Sequence, residues 1–167
     1  DGLPTVSVRP LDDLATELRP AIDEELVAVS SIDQEWGAPV LRLEADSWVR
    51  PTRILEVHLD DLAAGAAPQL RRETPVLGGY DPGDYRAERH WATARDGVRV
   101  PLTVLRRTEV PLDGTAPAIV YGYGSYEISM DPVLPLSWVS GLDRGVVHVV
   151  AHVRGGGELG RGWYEDG

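Results

Sequence analysis

Residues 117–153 read PAIVYGYGSYEISMDPVLPLSWVSGLDRGVVHVVAHV. Pro117 to Tyr121 is a short apolar run, and Gly145 to Val153 is a longer one. Between them, Leu134 to Leu142 has the length and apolar content of a short helix. Neither run alternates apolar with polar residues, so each reads as a strand packed on two faces. Strand, helix and strand of this kind form a parallel pair covered on both sides. The glycines at 122 and 124, and those at 155–157, then follow the two strands, where open α/β sheets place their sites.

Upstream, Arg86 to Ala94 and Val98 to Arg106 flank Arg95-Asp96-Gly97. An Asp-Gly pair takes the positive-φ turn that matches strand twist, so a β-hairpin is expected. Pro101 lacks a ladder donor, which suits the margin of a sheet or a bulge. A hairpin leading into βαβ opens an α/β-hydrolase sheet, and it opens other α/β folds too. From Pro75 to Tyr85 the composition is that of a linker, with Gly78-Gly79 and Asp81-Pro82-Gly83. The division falls there, separating residues 1–79 from 80–167.

Within 1–79, Thr5 to Arg9 alternates at period two and the acidic stretch Asp12 to Glu25 follows. Four runs come next: Leu26 to Ile32, Val40 to Ala45, Arg53 to Leu59 and a weak Gln69 to Glu73. Leu41, Leu43 and Ala45 alternate with Arg42, Glu44 and Asp46, nearer to period two than to 3.6. Four strands at roughly 14-residue spacing suit one blade of a β-propeller, with part of another before it. The fold class expected is a β-propeller portion followed by the N-terminal part of an α/β-hydrolase domain.

Charge is uneven along the chain. Residues 1–84 hold 17 acids and 7 bases, a balance of −10, and 85–167 hold 10 acids and 9 bases, a balance of −1. A nucleic-acid surface should be basic, so no nucleic acid is expected as partner. All 16 basic residues are arginine, and lysine, asparagine and phenylalanine are absent, which points to a GC-rich gene. The absence of cysteine removes disulfides, thiolate catalysis and cysteine-bound zinc. No run of 18 apolar residues suggests a membrane span, and no secretory signal opens the chain. It begins at Asp1 without methionine and stops in a polar turn, Tyr164-Glu165-Asp166-Gly167, and so reads as an internal fragment.

Two glycine-rich segments could carry chemistry. In Tyr121-Gly122-Tyr123-Gly124-Ser125-Tyr126 the glycines permit a sharp turn that holds Tyr123 over the sheet. A phenol there could donate to a developing oxyanion, or the three tyrosines could simply pack beside a turn; the residues alone leave both open. Arg154-Gly155-Gly156-Gly157-Glu158-Leu159-Gly160 matches G-x-G-x-x-G, but three consecutive glycines satisfy that pattern cheaply. A structural loop beneath a site is the better reading. His148 and His152, four apart on one strand face, read as packed histidines and not as a metal pair. His58 and His90 stand alone, Ser125 lacks the G-x-S-x-G surroundings of a nucleophile elbow, and Asp12, Asp13, Asp23, Glu24, Glu25, Asp60 and Asp61 read as solvated turns.

Residues 117–167 resemble the prolyl oligopeptidase family of serine peptidases, in its oligopeptidase B branch. The resemblance is carried by residues 121–132, by Ala151-His152-Val153-Arg154-Gly155-Gly156-Gly157-Glu158, and by Gly160-Arg161-Gly162-Trp163-Tyr164-Glu165-Asp166-Gly167. Residues 75–82 and 88–97 share it, and it thins toward residue 24. Ser125-Tyr126 stands where prolyl oligopeptidases proper have glycine-phenylalanine, which favours the oligopeptidase B branch. The resemblance implies a seven-bladed propeller capping an α/β-hydrolase domain, with a short peptide held in the cavity between them. It implies cleavage of basic peptide substrates after Arg or Lys, in the cytoplasm, with no cofactor and no metal. By position, Tyr123 matches the tyrosine whose hydroxyl completes the oxyanion hole, and Tyr126 an aromatic residue near the specificity pocket. The family's serine, aspartate and histidine fall beyond Gly167, so the fragment alone is expected to be inactive. The competing expectation is a non-catalytic β-rich interaction module that kept the scaffold without the triad.

Overall fold

The computed structural model describes residues 2–32 and 35–167; Asp1, with which the chain begins, lies outside them. Its strands form two four-stranded sheets that exchange none of them. The first is an antiparallel meander in sequence order: β1 (Val27–Ser31), β2 (Val40–Ser47), β3 (Arg53–His58) and β4 (Gln69–Glu73). Burial along β2 alternates residue by residue, so Leu41, Leu43, Ala45 and Ser47 face inward. That is the period-two expectation met. On the opposite face Arg42 sits across from Glu56 and bonds it at 2.6 Å, and Arg71 of β4 joins the same carboxylate at 2.7 Å. A single helical turn, α1 (Leu59–Ala63), follows β3. His58 accepts the Asp60 N–H, and Asp60 and Asp61 stand in the first turn, where the helix dipole favours anions.

Thr5 to Arg9 is not a strand of this sheet. It makes one isolated bridge, Val8 to Leu18, and its apolar residues lie partly buried against the first core. Val8 and Leu18 exchange both backbone bonds, and at the next bonded position, two residues on, Pro10 has no N–H to donate. Glu24 is not the solvated turn acid expected: its side chain is largely enclosed and ties the acidic stretch down by bonding Ser47 and Arg53, because a buried arginine needs a carboxylate beside it.

The second sheet runs β5 (Tyr85–Thr93), β6 (Arg99–Arg107), β8 (Val147–Ala151), β7 (Ala118–Tyr121). β5 and β6 form the expected hairpin, and β7 and β8 are parallel, joined through α2 (Leu136–Leu142). At the hairpin only Gly97 has positive φ, with Gly97 N–H donating to Ala94 O at 3.0 Å. This is a turn closed by one left-handed glycine, and Asp96 takes no positive φ. Pro101 lies just outside the β6–β8 register, which starts at Leu102, and its carbonyl accepts His152 N–H. The expectation that both parallel strands are covered holds for β8 only. α2 packs on β8 and β6, so all four residues of β7 stay exposed at the sheet edge. The final residues are not a turn alone: α3 (Arg161–Glu165) buries Trp163.

The connection between the sheets is built around aromatic rings. Tyr80 stacks on Tyr85 at 4.9 Å and donates to Val49 O at 2.8 Å. Tyr85 donates to Asp143 at 2.6 Å, and Arg107 reaches the same carboxylate at 2.9 Å. Burial, reinforced by that carboxylate, pushes the Tyr85 phenol up to about 12. Leu26 and Trp48 from the first sheet's side share one core with Tyr85, Leu105, Leu142 and Val150 from the second.

Candidate functional site

The two glycine-rich loops lie against each other at the end of β7 and β8. Gly124 has φ +58, and a Cβ there would meet Val153 and, at 2.6 Å, Arg154 O. Gly155, at φ +92, approaches the carbonyl of Gly124 so closely that a Cβ would fall on it. Only glycine allows this double approach. Glu127 N–H donates to Gly155 O at 3.0 Å, and a Cβ at Gly157 would lie 2.6 Å from Glu127 O. The 155–157 glycines are therefore spent on protein backbone and not on an open phosphate cradle. Arg154 fixes the loop from the other side through Asp96 at 2.6 Å.

Tyr123 sits between the two glycines directly after β7, 45% exposed, and its hydroxyl makes no hydrogen bond among the described residues. Tyr126 is 78% exposed and has φ 56, followed by Glu127 at φ 58. Two successive side-chain-bearing residues in the left-handed region are strained, and such strain persists only where neighbours over-determine the backbone. Here the neighbours are the second loop and Arg161, which bonds Glu127 at 2.8 Å.

His148 and His152 are packed histidines, as expected, but His152 also belongs to a hydrogen-bonded polar group behind these loops that the residues alone did not suggest. His152 is 2% exposed, with Nε2 2.8 Å from Thr103 Oγ1 and Nδ1 3.3 Å from Glu158 Oε1. Glu158 Oε1 also accepts Met130 N–H at 3.0 Å, and Trp163 Nε1–H donates to the His152 carbonyl at 3.2 Å. Burial alone would raise the Glu158 carboxyl, but bonds from His152 and Met130 N–H bring it below the ordinary range. His148 plays a separate part: it stacks on Trp138 at 4.7 Å, and burial lowers its affinity for a proton. The signal that could have found the group was a histidine and a glutamate six apart on either side of three glycines. Among the described residues no cluster of three or more His, Cys, Asp or Glu could hold a metal. None of the described helices is long and apolar enough to cross a membrane.

No protein-family model matches the chain. It is 45% identical over 138 residues to dipeptidyl aminopeptidase BI of Pseudoxanthomonas mexicana, covering 82% of this chain and 18% of that protein. It is 38% identical over 146 residues to protease 2 of Moraxella lacunata, covering 87% and 21%. Among solved structures, oligopeptidase B from Trypanosoma brucei, in a closed form with covalently bound antipain, matches 100% of this chain and 24% of its own. The TM-score is 0.84 at 33% identity. The chain thus spans about a fifth of the length of the curated relatives it matches.

Proposed function

Because this chain belongs to the prolyl oligopeptidase family of serine peptidases, we propose that the enzyme containing it hydrolyses short peptides after Arg or Lys. In this reading residues 1–79 end a propeller domain and residues 80–167 begin the catalytic domain, with the serine, aspartate and histidine supplied after Gly167. The serine attacks the scissile carbonyl with histidine as general base, and water releases the acyl-enzyme. The contribution of this chain is electrostatic: Tyr123 donates to the oxyanion as charge develops on it. Tyr126 lines the specificity pocket, and the acidic first half favours basic peptides in a cytoplasmic setting.

One observation carries the proposal. A solvent-facing phenol without a protein partner is held between two glycines at the C-terminal end of a parallel strand. Tyr121 and Tyr126 are exposed as well, and what sets Tyr123 apart is its place between Gly122 and Gly124 just after β7. The test is Tyr123→Phe in the complete enzyme, assayed on an arginyl-peptide amide. Loss of one oxyanion donor typically lowers kcat by roughly 10²–10³, with KM little changed. Unchanged kcat on such a slow substrate sinks the oxyanion role. A continuous reading frame beyond Gly167 without a glycine-flanked serine, an aspartate and a histidine sinks the peptidase itself.

A further inference from the structure

We propose that Glu158 is a positioning residue for the Tyr123 loop, its buried carboxylate holding that loop by accepting the Met130 N–H. The inference rests on the reading of Tyr123 as oxyanion donor. Between β7 and α2 the loop has no regular structure until Leu136. Its backbone ties are few: Glu127 N–H to Gly155 O, Ile128 N–H to Ser125 O, and Met130 N–H to Glu158 Oε1. Of the groups that accept these bonds, Glu158 is the one side chain, and it is only 8% exposed.

The surroundings make sense only if the carboxylate is wanted there. Glu158 Oε2 is buried with no hydrogen-bond partner among the described residues. A buried carboxylate oxygen left in that state is destabilising, and packing alone would be better served by an apolar side chain. Gly156 makes the room, because a Cβ there would fall on Oε2. His152 braces Oε1 from the end of β8, and Thr103 braces His152 from β6. The rigid centre of the sheet is thereby linked, through His152 and Glu158, to Met130, three residues after the strained Tyr126-Glu127 pair.

Steady-state kinetics of the complete enzyme on an arginyl-peptide amide test this. Glu158→Leu fills the volume without an acceptor, so kcat should fall roughly tenfold or more with KM nearly unchanged. Glu158→Gln keeps an oxygen for Met130 N–H and should recover most of that loss. In a Tyr123→Phe background Glu158→Leu should add little, since both changes act through one hydroxyl. Unchanged kcat in Glu158→Leu, equal damage from Leu and Gln, or losses that multiply in the double variant would each overturn the proposal. Normal turnover by Tyr123→Phe alone identifies a different failure, that of the oxyanion reading beneath it. If Glu158→Leu does not fold, Glu158→Gln decides: near-normal kcat supports the role, and a loss beyond about tenfold in folded enzyme overturns it.

Discussion

Beneath β1–β4 the buried side chains are aliphatic apart from Ser47, with Leu43 and Ala45 fully enclosed and Val29, Leu55 and Val57 around them. Around β6 and β8, Thr103, His148, His152 and Glu158 are buried beside Leu105 and Val150. The first sheet carries the Arg42–Glu56–Arg71 group on its outer face and admits one charge pair at its inner margin, Arg53 with Glu24. The second brings more polar and charged groups inside, where each unpaired atom is destabilising. His148 Nε2 and Glu158 Oε2 lack a partner among the described residues, as Arg53 Nε does at the margin of the first sheet and Trp48 Nε1 does in the core between the sheets. The contrast is between a sheet whose interior serves stability and one whose interior also sets the position of a loop.

Their edges differ in the same way. β4, Gln69-Leu70-Arg71-Arg72-Glu73, is exposed throughout and charged, which discourages pairing with another chain. β7, Ala118-Ile119-Val120-Tyr121, is equally exposed and apolar, with Val120 at 68%. Produced as residues 1–167, the protein should self-associate through β7. Sedimentation should show Val120→Arg reducing that association, with Arg72→Ala leaving the association through β7 in place. A monodisperse monomer with a sharp cooperative melt would break this part of the contrast.

Next in size is the first core. Leu43→Ala in the complete enzyme should lower stability by about 2–5 kcal/mol, through lost burial and the cavity left behind. Turnover per folded molecule should stay normal, read from a denaturant melt alongside active-site titration. A lowered kcat would mean the first sheet also shapes the site.

A smaller effect is expected at Thr103→Val. The change is close to isosteric and more apolar, yet it strips His152 Nε2 of its partner at 2.8 Å. That should cost about 1–3 kcal/mol, because a buried polar atom is left unsatisfied. A neutral or stabilising result would place the second core in the same class as the first.

The smallest signal is a pH slope. Burial depresses the His148 proton affinity below its ordinary value of 6.5, so the unfolded chain binds the proton more readily than the folded one. Stability from this group is full above 6.5 and is lost as pH falls from there through the folded value. His148→Phe keeps a ring against Trp138 and should flatten the melting temperature over that window. An unchanged slope would assign the acid sensitivity to other groups.

Local patterns were legible where the physics is local. The alternation in β2, the hairpin around Asp96-Gly97, the helix before Leu142 and the apolar run of β8 all follow from side-chain periodicity and turn chemistry. Tyr123 was legible as a candidate because two flanking glycines after an apolar strand imply an exposed turn. Thr5 to Arg9 misled because period two also describes an extended segment that finds no ladder partner. The polar turn expected at Tyr164 to Gly167 overlaps α3, which buries the preceding Trp163 with its Nε1–H on the His152 carbonyl.

The amino-acid sequence by itself determined the order and type of the main elements, the hairpin, the acidic first half and the glycines needed at positive φ. Tertiary structure alone decided that Gly124 and Gly155 press on each other, that β7 is left at an open edge, and that His152, Glu158, Thr103 and Met130 meet. Periodicity reports which face of one element is apolar, and it carries no record of which distant residue fills the space opposite. Those meetings join residues up to 49 apart, as Thr103 and His152 are, and they form only when the sheet brings β6, β8 and the two loops together.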